Sequence, residues 1–395
     1  MVKSQAERVN LDALLRQRLE RQRSAALWRR RVVLEAPQRA ETVIDGRPML
    51  NFCSNDYLGL AADPRLVAAG QRALEEWGSG AGASALVCGQ LRPHQQLEEA
   101  LAAWTGRPRA LLFSSGYLAN LGVLTTLLGR GDQLLQDRLN HASLLDGGRL
   151  SGARMQRFRH GEVADLERRL QRASTGACLV AVDGVFSMDG DRAPLVELAA
   201  AARRHRAWLM VDDAHGLGVL GPEGAGSVAD SGLSVEEVPV LMGTLGKALG
   251  GAGAFVAGSE TLIDALTQFA RTAIYTTAMP PATAATALVA LALAREEGWR
   301  RQQLAEHIDF FRAGAAQLGL PLLPSDTAIQ PLMLGSSEAV LAASAALARR
   351  GLWVAAIRPP TVPEGTARLR IVLTAGHDRA QVQQLLDALA EVVPA

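Results

Sequence analysis

One lysine stands where a solvated charge would be out of place. Lys247, in Gly243-Thr244-Leu245-Gly246-Lys247-Ala248-Leu249-Gly250-Gly251, is bounded by glycines, a threonine and apolar residues, with no acid nearby in the sequence. Desolvation lowers an amine's pKa, so such a lysine is equipped to act as nucleophile or base. The Gly-Lys pair invites comparison with a P-loop, but that motif needs a glycine where Leu241 stands and a Ser or Thr where Ala248 stands. A P-loop nucleotide-binding protein is therefore disfavoured. A second place is Val211-Asp212-Asp213-Ala214-His215-Gly216, after the apolar run 208–211. A buried carboxylate needs a cation or a hydrogen-bond donor, and a protonated heterocycle nitrogen would serve as well as an arginine. Alone, this motif could equally be a metal site or a helix N-cap.

Three further segments add groups that mean little singly. Ser114-Ser115-Gly116-Tyr117 lies between an apolar run at 110–113 and a helical pattern at 118–128. A glycine at such a strand-to-helix turn offers free backbone N–H groups and the positive helix end to a phosphate, although an ordinary capped turn looks the same. Asn140-His141-Ala142-Ser143 supplies an imidazole, and Val185-Phe186-Ser187-Met188-Asp189-Gly190 supplies a hydroxyl.

The elements that must position these groups are short β-prone runs at 110–113, 177–183, 208–213, 238–243 and 254–257, with helical patterns such as 195–205 between several of them. That alternation predicts an α/β fold, a mainly parallel sheet covered by helices on both faces, and ligands in such sheets gather beyond the carboxyl ends of the strands. Each candidate group lies at a strand end. Together they form a phosphate cradle, a carboxylate, a lysine and an imidazole, the set that pyridoxal phosphate requires: a Schiff-base lysine and an acid that keeps the pyridine nitrogen protonated.

A chain of 395 residues exceeds what one core usually serves, so two domains are expected. The pattern changes near Pro280, where helices at 281–297 and 302–318 precede a strand at 329–334, a helix at 337–350, strands at 352–357 and 368–373 and a helix at 379–392. The expected division is an N-terminal helical arm over 1–50, with a basic amphipathic helix at 11–31, a large domain over 51–280 and a small α+β domain over 281–395. With 41 Lys+Arg against 40 Asp+Glu the net charge is +1, so no global field gathers nucleic acid or an anionic membrane. Cys53, Cys88 and Cys178 form no CxxC pair and suggest neither zinc nor disulfides, and the polar N-terminus has no secretory h-region, which fits a cytoplasmic setting.

Val182-Asp183-Gly184-Val185-Phe186-Ser187-Met188-Asp189-Gly190-Asp191, Val211-Asp212-Asp213-Ala214-His215-Gly216 and Thr244-Leu245-Gly246-Lys247 resemble the signatures of the α-oxoamine synthases, and the likeness runs from about Arg29 to Thr374. The resemblance implies the fold of type I pyridoxal-phosphate-dependent transferases, with a mainly parallel seven-stranded sheet in the large domain, and a homodimer. It implies Lys247 as the cofactor's covalent carrier, Asp212 as partner of its pyridine nitrogen and His141 as the imidazole against its ring. His215 and Ser187 would serve its phenolic oxygen, and Gly116, Tyr117 and Thr244 its phosphate, with Thr276 or Thr277 reaching the phosphate of the partner subunit. Substrate would meet Arg29, Asn55, His141, Thr361 and Arg370, the last as anchor for an amino-acid carboxylate. Ala356-Ile357-Arg358-Pro359-Pro360-Thr361-Val362-Pro363 resembles the branch that condenses L-alanine with a pimeloyl thioester, carried on coenzyme A or acyl carrier protein, rather than the glycine C-acetyltransferase branch.

Overall fold

The computed structural model describes residues 10–25, 27–172 and 176–393. Its largest sheet has seven strands, in the spatial order Arg109–Phe113, Ala254–Gly258, Val240–Thr244, Trp208–Asp212, Cys178–Asp183, Gln133–Asp137 and Arg154–Phe158. Only Ala254–Gly258 runs against the rest. Cys178–Asp183 is buried along its whole length, as an apolar run covered on both faces must be. Alternation sorts its side chains: Val180 and Val182 join one core with Leu209 and Val211, while Leu179 and Ala181 join another with Met210 and Val240.

Two sheet strands went unread in the sequence, Gln133–Asp137 and Arg154–Phe158. Gln133, Gln136 and Asp137 break the apolar pattern although all are buried. The fold satisfies Gln136 locally, its Nε2 donating to Leu144 O at 2.7 Å. The helix expected over 11–31 ends at Ser24, and none of its residues is buried; Leu11, Leu15 and Leu19 face outward. Further along, Arg358 donates to Trp28 O at 2.7 Å. Residues of the expected arm also form two antiparallel strands, Glu41–Ile44 and Arg47–Asn51.

The C-terminal elements follow the expected order, with one change. The single strand expected over 352–357 is two: Leu352–Trp353 runs parallel to Arg47–Asn51, whereas Ala355–Ile357 pairs antiparallel with Ala367–Val372. The chain therefore leaves one small sheet and enters another at Val354. Ala367–Val372 also pairs with Ile329–Gly335. One close approach ties the Lys247 loop to the segment after Asn51: Gly250, at φ +63°, would place a Cβ 2.4 Å from Ala61 N. Only glycine tolerates that position. No helix among the described residues is long and apolar enough to cross a membrane.

Candidate active site

At the carboxyl ends of the parallel strands lies a recess of about 530 Å³, lined by Gly116, His141, Asp212, His215, Thr244 and Lys247 among others. Strand order brings these groups together: Asp183, Asp212 and Thr244 each end a strand, and Cys178–Asp183, Trp208–Asp212 and Val240–Thr244 are neighbours in the sheet. Gly116 opens the helix Gly116–Leu127, capped by Ser115 Oγ accepting from Leu118 N at 3.3 Å, so a helix N-terminus faces the recess.

Lys247 has no acid near it in sequence, but the fold gives it two. Burial lowers its pKa, and the carboxylates of Asp212 and Asp183 act against that fall. Asp212 is held on both oxygens: Ala214 N donates to Oδ1 at 3.1 Å and Asn120 Nδ2 to Oδ2 at 2.7 Å. Asn120 Nδ2 also donates to Ser143 Oγ at 2.8 Å, and Ser143 Oγ lies 2.7 Å from His141 Nδ1. Ser143 N–H points to the same nitrogen at 3.3 Å, which makes Nδ1 an acceptor and leaves the proton of a neutral ring on Nε2. Burial depresses the pKa of His141 in the same direction, against the pull of Asp212.

Asp183 accepts from His141 N at 3.0 Å through Oδ2, while its buried Oδ1 has no partner. Its pKa lies well above the usual carboxylate range, through burial first and the charge of Asp212 second. Asn120 Oδ1 is likewise buried and unpartnered. Of the two residues, Asp183 lines the recess, and an orphaned polar atom there is costly unless a bound group meets it. His215 is pushed well below the ordinary histidine range by burial and then by Lys247 and Arg370. Tyr57 Oη stands 2.6 Å from its Nδ1. A desolvated lysine, a firmly held carboxylate, a helix N-terminus and two neutral imidazoles fit pyridoxal phosphate and the chemistry of its donor set.

The other expected residues lie in three further places. Arg370 donates through Nε to Ser187 O at 2.6 Å and through a terminal nitrogen to Asn55 Oδ1 at 3.1 Å, so Asn55 and Arg370 meet at the rim on Ser187, which itself lines the recess. Arg29 donates to Thr361 Oγ1 at 3.2 Å. Thr276 and Thr277 line a different hollow, with Leu86, Leu112 and Met279. Tyr117 borders the recess but is 41% exposed, its hydroxyl bonded to Asp146. Sequence reasoning gave no role to Tyr57, Asn120, Ser143 or Asp183. Ser143 and Asp183 stand inside motifs already singled out, while Tyr57 lies outside them and Asn120 carried no signal beyond being polar in an apolar helix.

The family model for aminotransferase class I and II matches residues 47–389. The 8-amino-7-oxononanoate synthase of Pseudomonas putida is 61% identical over 377 residues, covering 95% of this chain and 96% of that protein. That of Cellvibrio japonicus is 57% identical over 384 residues, covering 97% and 96%. Among solved structures, the serine palmitoyltransferase of S. paucimobilis with bound PLP-myriocin aldimine has a TM-score of 0.91 at 34% identity, covering 97% of this chain and 98% of that one. The 8-amino-7-oxononanoate synthase of Francisella tularensis has a TM-score of 0.76 at 31% identity, covering 87% and 97%. Shared sequence over nearly the whole length and a shared fold carry the same conclusion: the chain belongs to the 8-amino-7-oxononanoate synthase family, pyridoxal-phosphate-dependent acyltransferases with the class I and II aminotransferase fold.

Proposed function

We propose that this chain condenses L-alanine with a pimeloyl thioester, giving 8-amino-7-oxononanoate, CO2 and the free thiol carrier in biotin biosynthesis. The observation that supports it most is the meeting of desolvated Lys247 and hydrogen-bonded Asp212 in one recess, in a chain 61% identical to a protein of that name. Bound pyridoxal phosphate supplies a carbonyl for an amine and a ring that accepts the electron pair left when a bond to Cα breaks. Lys247 would hold it covalently and Asp212 would keep its pyridine nitrogen protonated. His215 and Ser187 would serve its phenolic oxygen, and the Gly116-Tyr117 turn with Thr244 its phosphate.

Arg370 binds the alanine carboxylate with its planar fork, Asn55 beside it, and thereby fixes which Cα bond is aligned to break. Lys247, free as an amine at that stage, takes the Cα proton, a task for which a lowered pKa suits it. His141, keeping its proton on Nε2, donates to the thioester carbonyl as charge grows there. Arg29 and Thr361 would contact the acyl substrate, whose carrier is coenzyme A or an acyl carrier protein. We include a homodimer in the proposal, Thr276 or Thr277 reaching the partner's phosphate site; exposed Tyr275, Leu86 and Val87 near that hollow suit a covered surface. The arm, large and C-terminal domains drawn from the sequence belong to the same proposal.

The test is a substrate panel. Alanine with pimeloyl thioester is expected to give the highest kcat/KM against glycine with acetyl-, succinyl- and palmitoyl-CoA. A pimeloyl chain has methylenes to bury at about 0.8 kcal/mol each, whereas an acetyl group has almost none. Faster turnover of glycine with acetyl-CoA would move the chain to the C-acetyltransferase branch.

A further inference from the structure

His160 lies outside the recess, in the turn between the edge strand Arg154–Phe158 and the helix Val163–Leu170. Its Nδ1 stands 2.9 Å from Asp137 Oδ1 and its Nε2 stands 2.8 Å from Asp191 Oδ2. A neutral imidazole has one N–H and would turn a lone pair on one of these carboxylates. Two carboxylate partners at hydrogen-bonding distance are both met when both nitrogens donate.

Each aspartate anchors a loop that ends at the recess. Asp137, 1% exposed, closes the strand Gln133–Asp137 and accepts from Leu139 N at 2.8 Å and Gly161 N at 2.9 Å. Asn140 and His141 follow directly. Asp191 closes the loop that carries Ser187: Phe186 N donates to Asp191 O at 2.9 Å and Gly190 N to Phe186 O at 2.8 Å. The Phe186 ring also meets His160 edge-on, with centroids 4.4 Å apart. From this loop Ser187 O accepts from Arg370, so its position reaches the rim.

We propose that His160 is a positioning residue, a double hydrogen-bond donor that clamps the loop leading to His141 against the loop carrying Ser187 and so sets the width of the recess. Burial opposes its charge, but the hydrogen bonds to Asp137 and Asp191 outweigh burial and raise its pKa to about 10. The inference takes the roles of His141 and Ser187 from the proposed function, whereas the clamp concerns the chain alone.

Two measurements test it. Nitrogen-15 NMR of the wild-type imidazoles at pH 7.5 is expected to show His160 protonated on both nitrogens, and a neutral tautomer overturns the proposal without any variant being made. In the holoenzyme, His160→Gln is expected to weaken pyridoxal phosphate binding about tenfold, the scale of one charge-assisted hydrogen bond, and to alter the circular dichroism band of the bound cofactor. Asp191→Asn should do the same, and the double variant should be no worse than either single one. A folded His160→Gln with wild-type affinity and band overturns the clamp, even if turnover falls. Failure of the wild-type protein to bind pyridoxal phosphate would sink the proposed function, while the NMR spectrum would still decide the clamp.

Discussion

The inner and outer walls of the recess are held by opposite means. On the inner wall, Asp212, Ser143 and His141 come from one sheet and the helices beside it, linked side chain to side chain through buried Asn120. On the outer wall, Arg370 comes from a C-terminal strand, Asn55 from a segment 315 residues away and Ser187 from a loop of the large sheet. Strand order is enough to assemble the inner wall. The outer wall exists only once distant parts of the chain have closed on one another. A change inside should therefore strike the chemistry with the fold intact, and a change at the rim should strike substrate binding first.

The largest expected effect tests the inner wall. Lys247→Ala should abolish turnover, because it removes the covalent handle and a base whose contribution alone is typically ~10²–10⁴-fold. Borohydride reduction of the holoenzyme followed by peptide mapping should label Lys247. The label appearing instead on Lys3, the other lysine of the chain, which lies outside the described residues, would refute the assignment.

An intermediate effect belongs to the outer wall. Arg370→Lys keeps the charge but loses the planar fork and its bond to Ser187 O. With hydrogen bonds to charged groups contributing about 1.5–3 kcal/mol, kcat/KM for alanine should fall roughly ten- to a hundredfold, most of it in KM. Loss confined to kcat would mean that Arg370 acts on the chemistry and that the two walls are not separable.

The smallest effect is one of stability and pH, at the His160 contact that joins the walls. Its folded pKa of about 10 lies above the ordinary histidine value of about 6.5, so its stabilisation is complete below about pH 6.5 and is lost as pH rises through about 10. Thermal unfolding should show wild type exceeding His160→Gln by a few degrees at pH 6.5, with the gap closing near pH 10. A gap unchanged across that range would mean that the imidazolium charge contributes nothing to holding Asp137 and Asp191.

Sequence by itself determined the alternating strands and helices and the strand-end position of Lys247, Asp212 and Ser187. Those features are local: an apolar run long enough for one strand, then a polar or glycine-rich turn, can be read within a dozen residues. Strands whose burial depends on satisfied polar groups escaped that reading, as at Gln133–Asp137, and so did the split at Val354 between two sheets. Neither leaves a periodic trace. The carboxylate neighbours of Lys247, the relay from Asp212 through Asn120 to His141 and the double grip on His160 were decided only by the tertiary structure. A pKa or a tautomer depends on which charges and donors lie within a few ångströms, and strand order, not proximity along the chain, determines that.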